Sequence, residues 1–113
     1  MKEMFVKYLC GLLLVATTMR VSASDLVVVQ ISPLSGMAGE FGMALFAGAK
    51  AYFDSVNSQG GINGEKIRFI AEDDKFNPVE TIRLMRASAL RNQPLAFLNM
   101  TLGPQSETIL SRP

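Results

Sequence analysis

The sequence predicts an α/β fold in which a parallel sheet of β-α-β-α-β order forms the middle of three layers. Three observations indicate this class. Residues 25–32, "DLVVVQIS", form a nearly continuous apolar run rich in β-branched residues, which is typical of a strand buried on both faces. Two more strand-like apolar runs follow, at residues 66–73 and 95–100. A segment with helical apolar spacing lies between each strand and the next.

The first helix is expected from about Met43 to Ser58, after a glycine-rich loop at residues 33–42. Its apolar residues recur at spacings of three and four, which places them on one face of a helix. This apolar stripe consists of Leu45, Ala49, Tyr52, Phe53 and Val56. Gly60 and Gly61 are expected to end the helix, because glycine adopts the left-handed C-cap conformation without a Cβ clash.

The second strand is expected at residues 66–73, close to an edge of the sheet, where apolar residues alternate with polar and charged ones. The Asn63-Gly64 pair before it predicts a tight turn, since both residues tolerate positive φ.

The second helix has an explicit start signal. Asn77 is a favourable N-cap, Pro78 suits the first helical position, and Glu80 completes an Asn-x-x-Glu capping pattern. Its predicted buried stripe consists of Val79, Ile82, Met85 and Ala89.

This order of elements also predicts where a ligand binds. With right-handed crossovers, the first strand lies between the second and the third, and the direction of winding reverses there. Ligands of such sheets bind in the crevice at that reversal, at the carboxyl ends of the strands. The loops expected to meet at the crevice are residues 33–42 and 101–106.

The loop at 33–42 supplies the first candidate site residues. Its Gly36-x-x-Gly39-x-x-Gly42 spacing matches neither the dinucleotide fingerprint nor the P-loop, so nucleotide binding is not indicated. The loop nevertheless offers main-chain N–H groups at a helix N-terminus, which suits a carboxylate or another small anion. Ser35 adds a hydroxyl group. Phe41 is either an apolar wall of a ligand pocket or a core residue, and a plain flexible connector is the alternative for the whole loop.

Three consecutive acids, Glu72, Asp73 and Asp74, end the second strand. A metal or acid–base site is one interpretation of them, but no His and no further acidic cluster accompanies them. The favoured interpretation is a structural one, in which the acids beside the crevice accept hydrogen bonds from the following turn.

Composition limits the function classes. Residues 1–23 have the layout of a secretory signal peptide, with early lysines, an apolar run and Ala23 before a plausible cleavage point. Beyond them only 8 of the 11 basic and 9 of the 10 acidic residues remain, so neither nucleic acid nor an anionic membrane is an expected partner. The chain has no His, and its single Cys, Cys10, lies in the signal segment. Cysteine or histidine nucleophile–base pairs and zinc sites are therefore unavailable, and we expect neither a cofactor nor enzymatic activity.

Four segments together resemble a known family: "PLSG" after the first strand, the Phe41-Gly42 pair, "VNSQGGINGEKI", and "EDDKFNP" before a helix. They are similar to the type I periplasmic binding proteins, in particular to the leucine/isoleucine/valine-binding-protein type, which serve ABC importers. The resemblance covers residues 25–113. Members of this family have two α/β lobes that close on the ligand, and their chains are longer. The resemblance therefore implies that residues 24–113 form the incomplete N-terminal part of the first lobe.

The resemblance also implies ligand contacts. The loops after the first and third strands would hold the α-carboxylate of the ligand through main-chain amides and hydroxyl groups, and Phe41 would place an aromatic ring against it. The ligand-binding residues implied in this way are Ser35, Gly36, Phe41, Thr101, Gly103 and Ser106. Pro104 stands where the family commonly has a hydroxyl residue.

The implied function is that of an exported, non-enzymatic solute-binding protein in the periplasm. It would bind a branched-chain amino acid or a related small amide and deliver it to a membrane permease. Three alternatives remain open at this stage: the ligand-binding ectodomain of a signalling receptor, an α/β enzyme whose catalytic groups come from a missing second half, and a truncated chain without function.

Overall fold

A computed structural model describes residues 24–98 as three strands and two helices that alternate along the chain. The elements are β1 (Leu26–Ser32), α1 (Gly39–Ser58), β2 (Ile67–Asp73), α2 (Pro78–Asn92) and β3 (Ala96–Leu98). The expected signal peptide at 1–23 and the loop at 101–106 lie outside the described residues. In the part of the chain that is described, no helix is both long and apolar enough to cross a membrane.

The sheet has the predicted parallel arrangement, with strand order β2-β1-β3. β1 pairs with β2 over its full length, from Leu26 opposite Ile67 to Ser32 opposite Asp73. β3 pairs with the other edge of β1, where Phe97 lies opposite Val29. Because Ser32 and Asp73 are register partners at the carboxyl ends of their strands, the loops that follow them leave the sheet side by side.

The core lies on β1, as its apolar run predicts. Val27, Val29 and Ile31 form the buried cluster, and Val29 and Ile31 have no exposed surface. The residues packed against this cluster come from β2, α2 and β3: Ile70, Leu84, Met85 and Phe97. Gln30 is a fully buried polar residue in the same strand, and its amide donates to Ser32 Oγ at 2.7 Å and to the Gly42 carbonyl at 3.0 Å.

The predicted start of the first helix, about Met43, is wrong by four residues, since α1 begins at Gly39. The glycines at 39 and 42 allow helix and loop to approach closely. A Cβ atom at residue 39 would lie 3.1 Å from the Leu34 carbonyl carbon, and one at residue 42 would lie 1.8 Å from the Pro33 carbonyl oxygen. The second half of the predicted glycine-rich loop, residues 39–42, is therefore the first turn of a helix packed against the end of β1.

The predicted apolar stripe of α1 is partly wrong. Tyr52 is exposed, and the unpredicted Phe46 packs inward instead. Phe46 stacks on Phe69 of β2 with ring centroids 5.2 Å apart, and Phe53 meets the same ring edge-on at 5.1 Å. The spacing of apolar residues along α1 does not reveal where the Phe69 ring lies on the sheet. The position of that ring determines which residues of α1 pack inward.

The end of α1 and the following turn are confirmed. The Gly60 N–H bonds to the Asn57 carbonyl at 3.1 Å and the Gly61 N–H to the Val56 carbonyl at 3.0 Å, which is the Schellman pattern of a helix end. Asn63 and Gly64 both have positive φ, at 50° and 82°, and form the predicted tight turn between Ile62 and Glu65.

The start of α2 is confirmed at Asn77, whose side chain accepts the Val79 N–H at 3.0 Å. The reciprocal half of the capping pattern does not form, because Glu80 pairs with Arg83. In its place, the Asn77 N–H bonds to the Asp74 carbonyl at 2.9 Å.

The predicted stripe of α2 is correct at Ile82 and Met85, which lie in or against the core, and wrong at Val79 and Ala89, which are exposed. Leu84, outside the predicted stripe, packs against the core in their stead.

Candidate functional site

An open depression of about 280 Å³ lies at the carboxyl ends of β1 and β2. One wall is the loop after β1, and the other is the turn after β2. The lining residues are Ser35, Gly36, Met37, Ala38, Lys75 and Phe76. Its place at the carboxyl edge of a parallel sheet is where α/β proteins bind ligands.

The loop after β1 lines this depression with Ser35, Gly36, Met37 and Ala38. Gly36 has a φ of 70°, which glycine adopts without strain, and its carbonyl accepts the Gly39 N–H at 3.1 Å. Ala38 precedes α1 and has no side chain with which to cap it. Among residues 24–98, no side chain caps the start of α1, and the dipole of the helix favours an anion there.

Asp73 joins the two walls of the depression. Its carboxylate accepts the Leu34 N–H at 2.9 Å, the Ser35 hydroxyl at 2.5 Å and the Lys75 N–H at 2.9 Å. These donors favour the charged form. The Leu34 N–H, followed by the Ser35 hydroxyl, therefore lowers the pKa of Asp73 below its ordinary value. The loop after β1 and the turn after β2 are held together by this one side chain.

Asp74 fixes the turn itself. It is fully buried, and its carboxylate accepts the Phe76 N–H at 2.9 Å and the Thr81 hydroxyl at 2.7 Å. Lys75 and Phe76 both adopt left-handed backbone conformations, with φ of 53° and 59°. Such a conformation costs a non-glycine residue about 1–2 kcal/mol. The two aspartates offset this cost, because each accepts the N–H group two residues further on.

Glu72 has a different partner. It forms an ion pair with Arg91 of α2 at 2.7 Å, and its side chain is only 13% exposed. All three acids therefore bond to protein groups, and the prediction that the strand-end acids bond to the following turn is confirmed for Asp73 and Asp74. Within residues 24–98, no group of three or more His, Cys or acidic side chains is arranged to hold a metal ion.

Comparison with known proteins identifies the family. A sequence profile described as periplasmic binding protein matches residues 26–106, which is most of the chain.

The chain belongs to the periplasmic binding protein family.

Curated relatives of this family member carry amino-acid-binding names. An amino acid binding protein of Pseudomonas aeruginosa is 28% identical over 88 residues, which cover 74% of this chain and 24% of that protein. The Leu/Ile/Val-binding protein of Escherichia coli K12 is 28% identical over 74 residues, covering 66% of this chain and 20% of the relative. This periplasmic binding protein chain thus spans about a quarter or less of the length of these relatives.

Solved structures agree with the family and its fold. A substrate-binding periplasmic protein from Ralstonia solanacearum superposes with a TM-score of 0.69 at 43% identity, covering 76% of this chain and 24% of that one. A possible leucine/isoleucine/valine-binding protein from Rhodopirellula baltica gives a TM-score of 0.68 at 25% identity, covering 80% and 24%. The resemblance to the leucine/isoleucine/valine-binding type is confirmed, together with the α/β fold.

The structure of this family member brings some of the predicted site residues together. Ser35 and Gly36 line the depression. Phe41 lies in the first turn of α1 with 61% of its surface exposed, and it is not among the lining residues. Thr101, Gly103 and Ser106 lie outside the described residues.

Four lining residues, Met37, Ala38, Lys75 and Phe76, are absent from the sequence prediction. Met37 lies in the loop at residues 33–42, for which the sequence prediction names Ser35, Gly36 and Phe41 instead. Lys75 and Phe76 follow two aspartates and precede an Asn-Pro helix start. Aspartates often bond to the N–H two residues further on, so this spacing was an available signal for a structured turn at the site.

The lowered pKa of Asp73 leads to a pH-dependent stability. A carboxylate whose pKa is depressed on folding stabilises the protein above its unfolded pKa and loses this contribution as pH falls through the folded value. We expect the free energy of unfolding of Asp73→Asn to change less with pH between about pH 5 and pH 2 than that of the wild type. Urea denaturation across this range tests it. Asp25→Asn, which removes an exposed carboxylate, is the control, and equal flattening in both variants would contradict the assignment.

Proposed function

We propose that this chain forms the first part of the ligand-binding lobe of an extracytoplasmic solute-binding protein. The protein binds a branched-chain amino acid or a related small amide without chemical conversion and delivers it to an ABC-type membrane permease. The observation that carries this proposal is the family match over residues 26–106, together with relatives named for binding amino acids. Residues 1–23 act as the signal peptide that directs the chain to the periplasm.

The ligand carboxylate binds at the loop after β1. The Gly36 backbone and the uncapped start of α1 support this, because main-chain N–H groups there suit an anion. The Ser35 hydroxyl group already donates a hydrogen bond to Asp73. Ser35 therefore binds the ligand carboxylate through its main-chain N–H group. The proposed second carboxylate contact is the loop with Thr101, Gly103 and Ser106.

Phe41 supplies an apolar contact to the ligand. Phe41 has 61% of its surface exposed, so most of its apolar surface stays in water and contributes little to stability. The ring stands one turn along α1 from the loop that carries Gly36. A branched aliphatic side chain placed against the ring would remove apolar surface of both groups from water.

The proposal predicts weak binding by this chain alone, because closure of a second lobe contributes to tight binding. We expect leucine to bind with a dissociation constant in the millimolar range or above, corresponding to about 4 kcal/mol or less. Titration of the 15N-labelled chain by NMR measures it, with shifts expected at Gly36 and Ala38. Calorimetry that gave micromolar affinity would contradict the need for a second lobe.

Two controls make the experiment specific. Phe41→Ala should weaken the leucine-induced shifts, whereas Tyr52→Ala, which removes another exposed aromatic ring of α1, should leave them unchanged. Glucose serves as a ligand of different chemistry. Equal shifts with glucose and leucine, or an absence of shifts with leucine at saturating concentration, would rule out the proposed function.

A further inference from the structure

The turn after β2 shares the depression with the loop that is proposed to hold the ligand. Lys75 and Phe76 line one side of it, and Ser35, Gly36, Met37 and Ala38 line the other. The turn is held firmly, since Asp73 and Asp74 accept the N–H groups of Lys75 and Phe76 at 2.9 Å each. Non-glycine residues with left-handed backbone conformations persist only where surrounding bonds hold them in place. Such residues cluster at ligand sites.

The apolar lining of the depression is exposed. Met37 has its whole side chain in solvent, and Phe76 has 64% of its surface exposed. Methionine adapts its shape to aliphatic groups, and a phenylalanine ring offers a flat apolar face. A branched aliphatic group seated between these side chains would remove apolar surface from water on both sides of the depression.

Lys75 adds a positive charge at the same place. The ion pairs formed within residues 24–98 join Lys50 to Asp54, Arg83 to Glu80 and Arg91 to Glu72, and none of them includes Lys75. Its charge acts at longer range on the carboxylates of Asp73 and Glu80, whose pKa values it helps to lower. Because none of these ion pairs holds its ammonium group, Lys75 can also attract an anionic ligand in the depression that it lines with Phe76 and Met37.

We propose that the Lys75–Phe76 turn forms the second wall of the ligand pocket and selects a ligand in which a carboxylate accompanies a branched aliphatic chain. This inference rests on the proposed function and narrows it, since it favours the amino acid, or another branched aliphatic acid, over the neutral amide. Phe76 and Met37 contact the aliphatic chain, and Lys75 is the residue that distinguishes the charged ligand from the uncharged one.

A matched pair of ligands tests the inference. Isocaproate and isocaproamide share one branched aliphatic chain and differ in the charge of the head group. In NMR titrations of the full 15N-labelled chain, we expect both to shift the main-chain signals of Phe76 and Met37. Isocaproate should bind about 1.5-fold to fivefold more tightly, which is the range of one solvent-exposed charge pair.

Substitutions assign the preference to one residue. Lys75→Met should abolish the difference between the two ligands, whereas Lys50→Met, which removes an exposed lysine of α1, should preserve it. Shifts of the wild-type signals at 75 and 76 provide a readout that does not depend on any variant.

The outcomes separate the two proposals. If leucine shifts the Gly36 signal and no ligand shifts those of Lys75 and Phe76, the second wall is wrong and the proposed function stands. If isocaproate and leucine shift neither wall at saturating concentration, both proposals are wrong.

Discussion

We expect Gly42→Ala to lower the free energy of unfolding by at least about 3 kcal/mol, which is the upper part of the range for overpacking. A Cβ atom at this position would lie 1.8 Å from the Pro33 carbonyl oxygen, 2.8 Å from the Pro33 carbonyl carbon and 2.9 Å from Ser32 Oγ. The first two of these atoms belong to the main chain, so no side-chain rotation relieves the clash. Either α1 or the end of β1 must move.

Movement of α1 would also break a buried hydrogen bond. The Gly42 carbonyl accepts the side-chain amide of Gln30 at 3.0 Å, and Gln30 is fully buried in the central strand. Loss of a partner for a buried amide costs about 1–3 kcal/mol. The same displacement would disturb the loop at Ser35 and Gly36, so the substitution should also abolish the ligand-induced shifts at Gly36.

Gly48→Ala is the matched control, because it makes the same chemical change in the same helix. A Cβ atom at residue 48 would meet nothing within 4 Å. Alanine is the better helix former, so this variant should gain about 0.5–1 kcal/mol. Urea denaturation followed by circular dichroism measures both variants. If the two substitutions changed stability in the same direction, the close approach of α1 to Pro33 would be disproved.

Elements determined by local chemistry were predictable from the sequence. The apolar run of β1 has no charge, so its burial follows directly. The Asn63-Gly64 turn and the Asn77-Pro78 helix start each depend on the backbone preferences of adjacent residues. The strand order follows from alternating elements and right-handed crossovers.

Features that depend on distant partners were not predictable in this way. The start of α1 is set by Pro33, whose carbonyl lies against Gly42, and a glycine-rich segment reads as a loop until this contact is known. Likewise, Phe46 rather than Tyr52 packs inward because Phe69 lies opposite it. At the candidate site, Ser35 bonds to Asp73, which lies 38 residues further along the chain. Neither residue contains a local signal for that pairing.

The second large effect on stability is expected at the turn after β2. We expect Asp74→Ala to lower the free energy of unfolding by about 2–4 kcal/mol, because it removes two hydrogen bonds of a fully buried side chain. The Thr81 hydroxyl and the Phe76 N–H would both lose an acceptor. The Thr81 hydroxyl retains only the Asn77 carbonyl, at 3.0 Å.

Asp54→Ala is the control for this change, since it removes an exposed aspartate that pairs with Lys50 on α1. An exposed ion pair of this kind contributes about 0.3–0.5 kcal/mol, so the control should stay within that margin. NMR adds a second measurement that a general loss of stability would not produce. Without Asp74, the Phe76 N–H has no acceptor to hold its left-handed backbone, so its main-chain chemical shifts should move toward extended values. A Phe76 that kept its positive φ in this variant would show that Asp74 does not hold the turn, and the fixed second wall of the pocket would then need another cause.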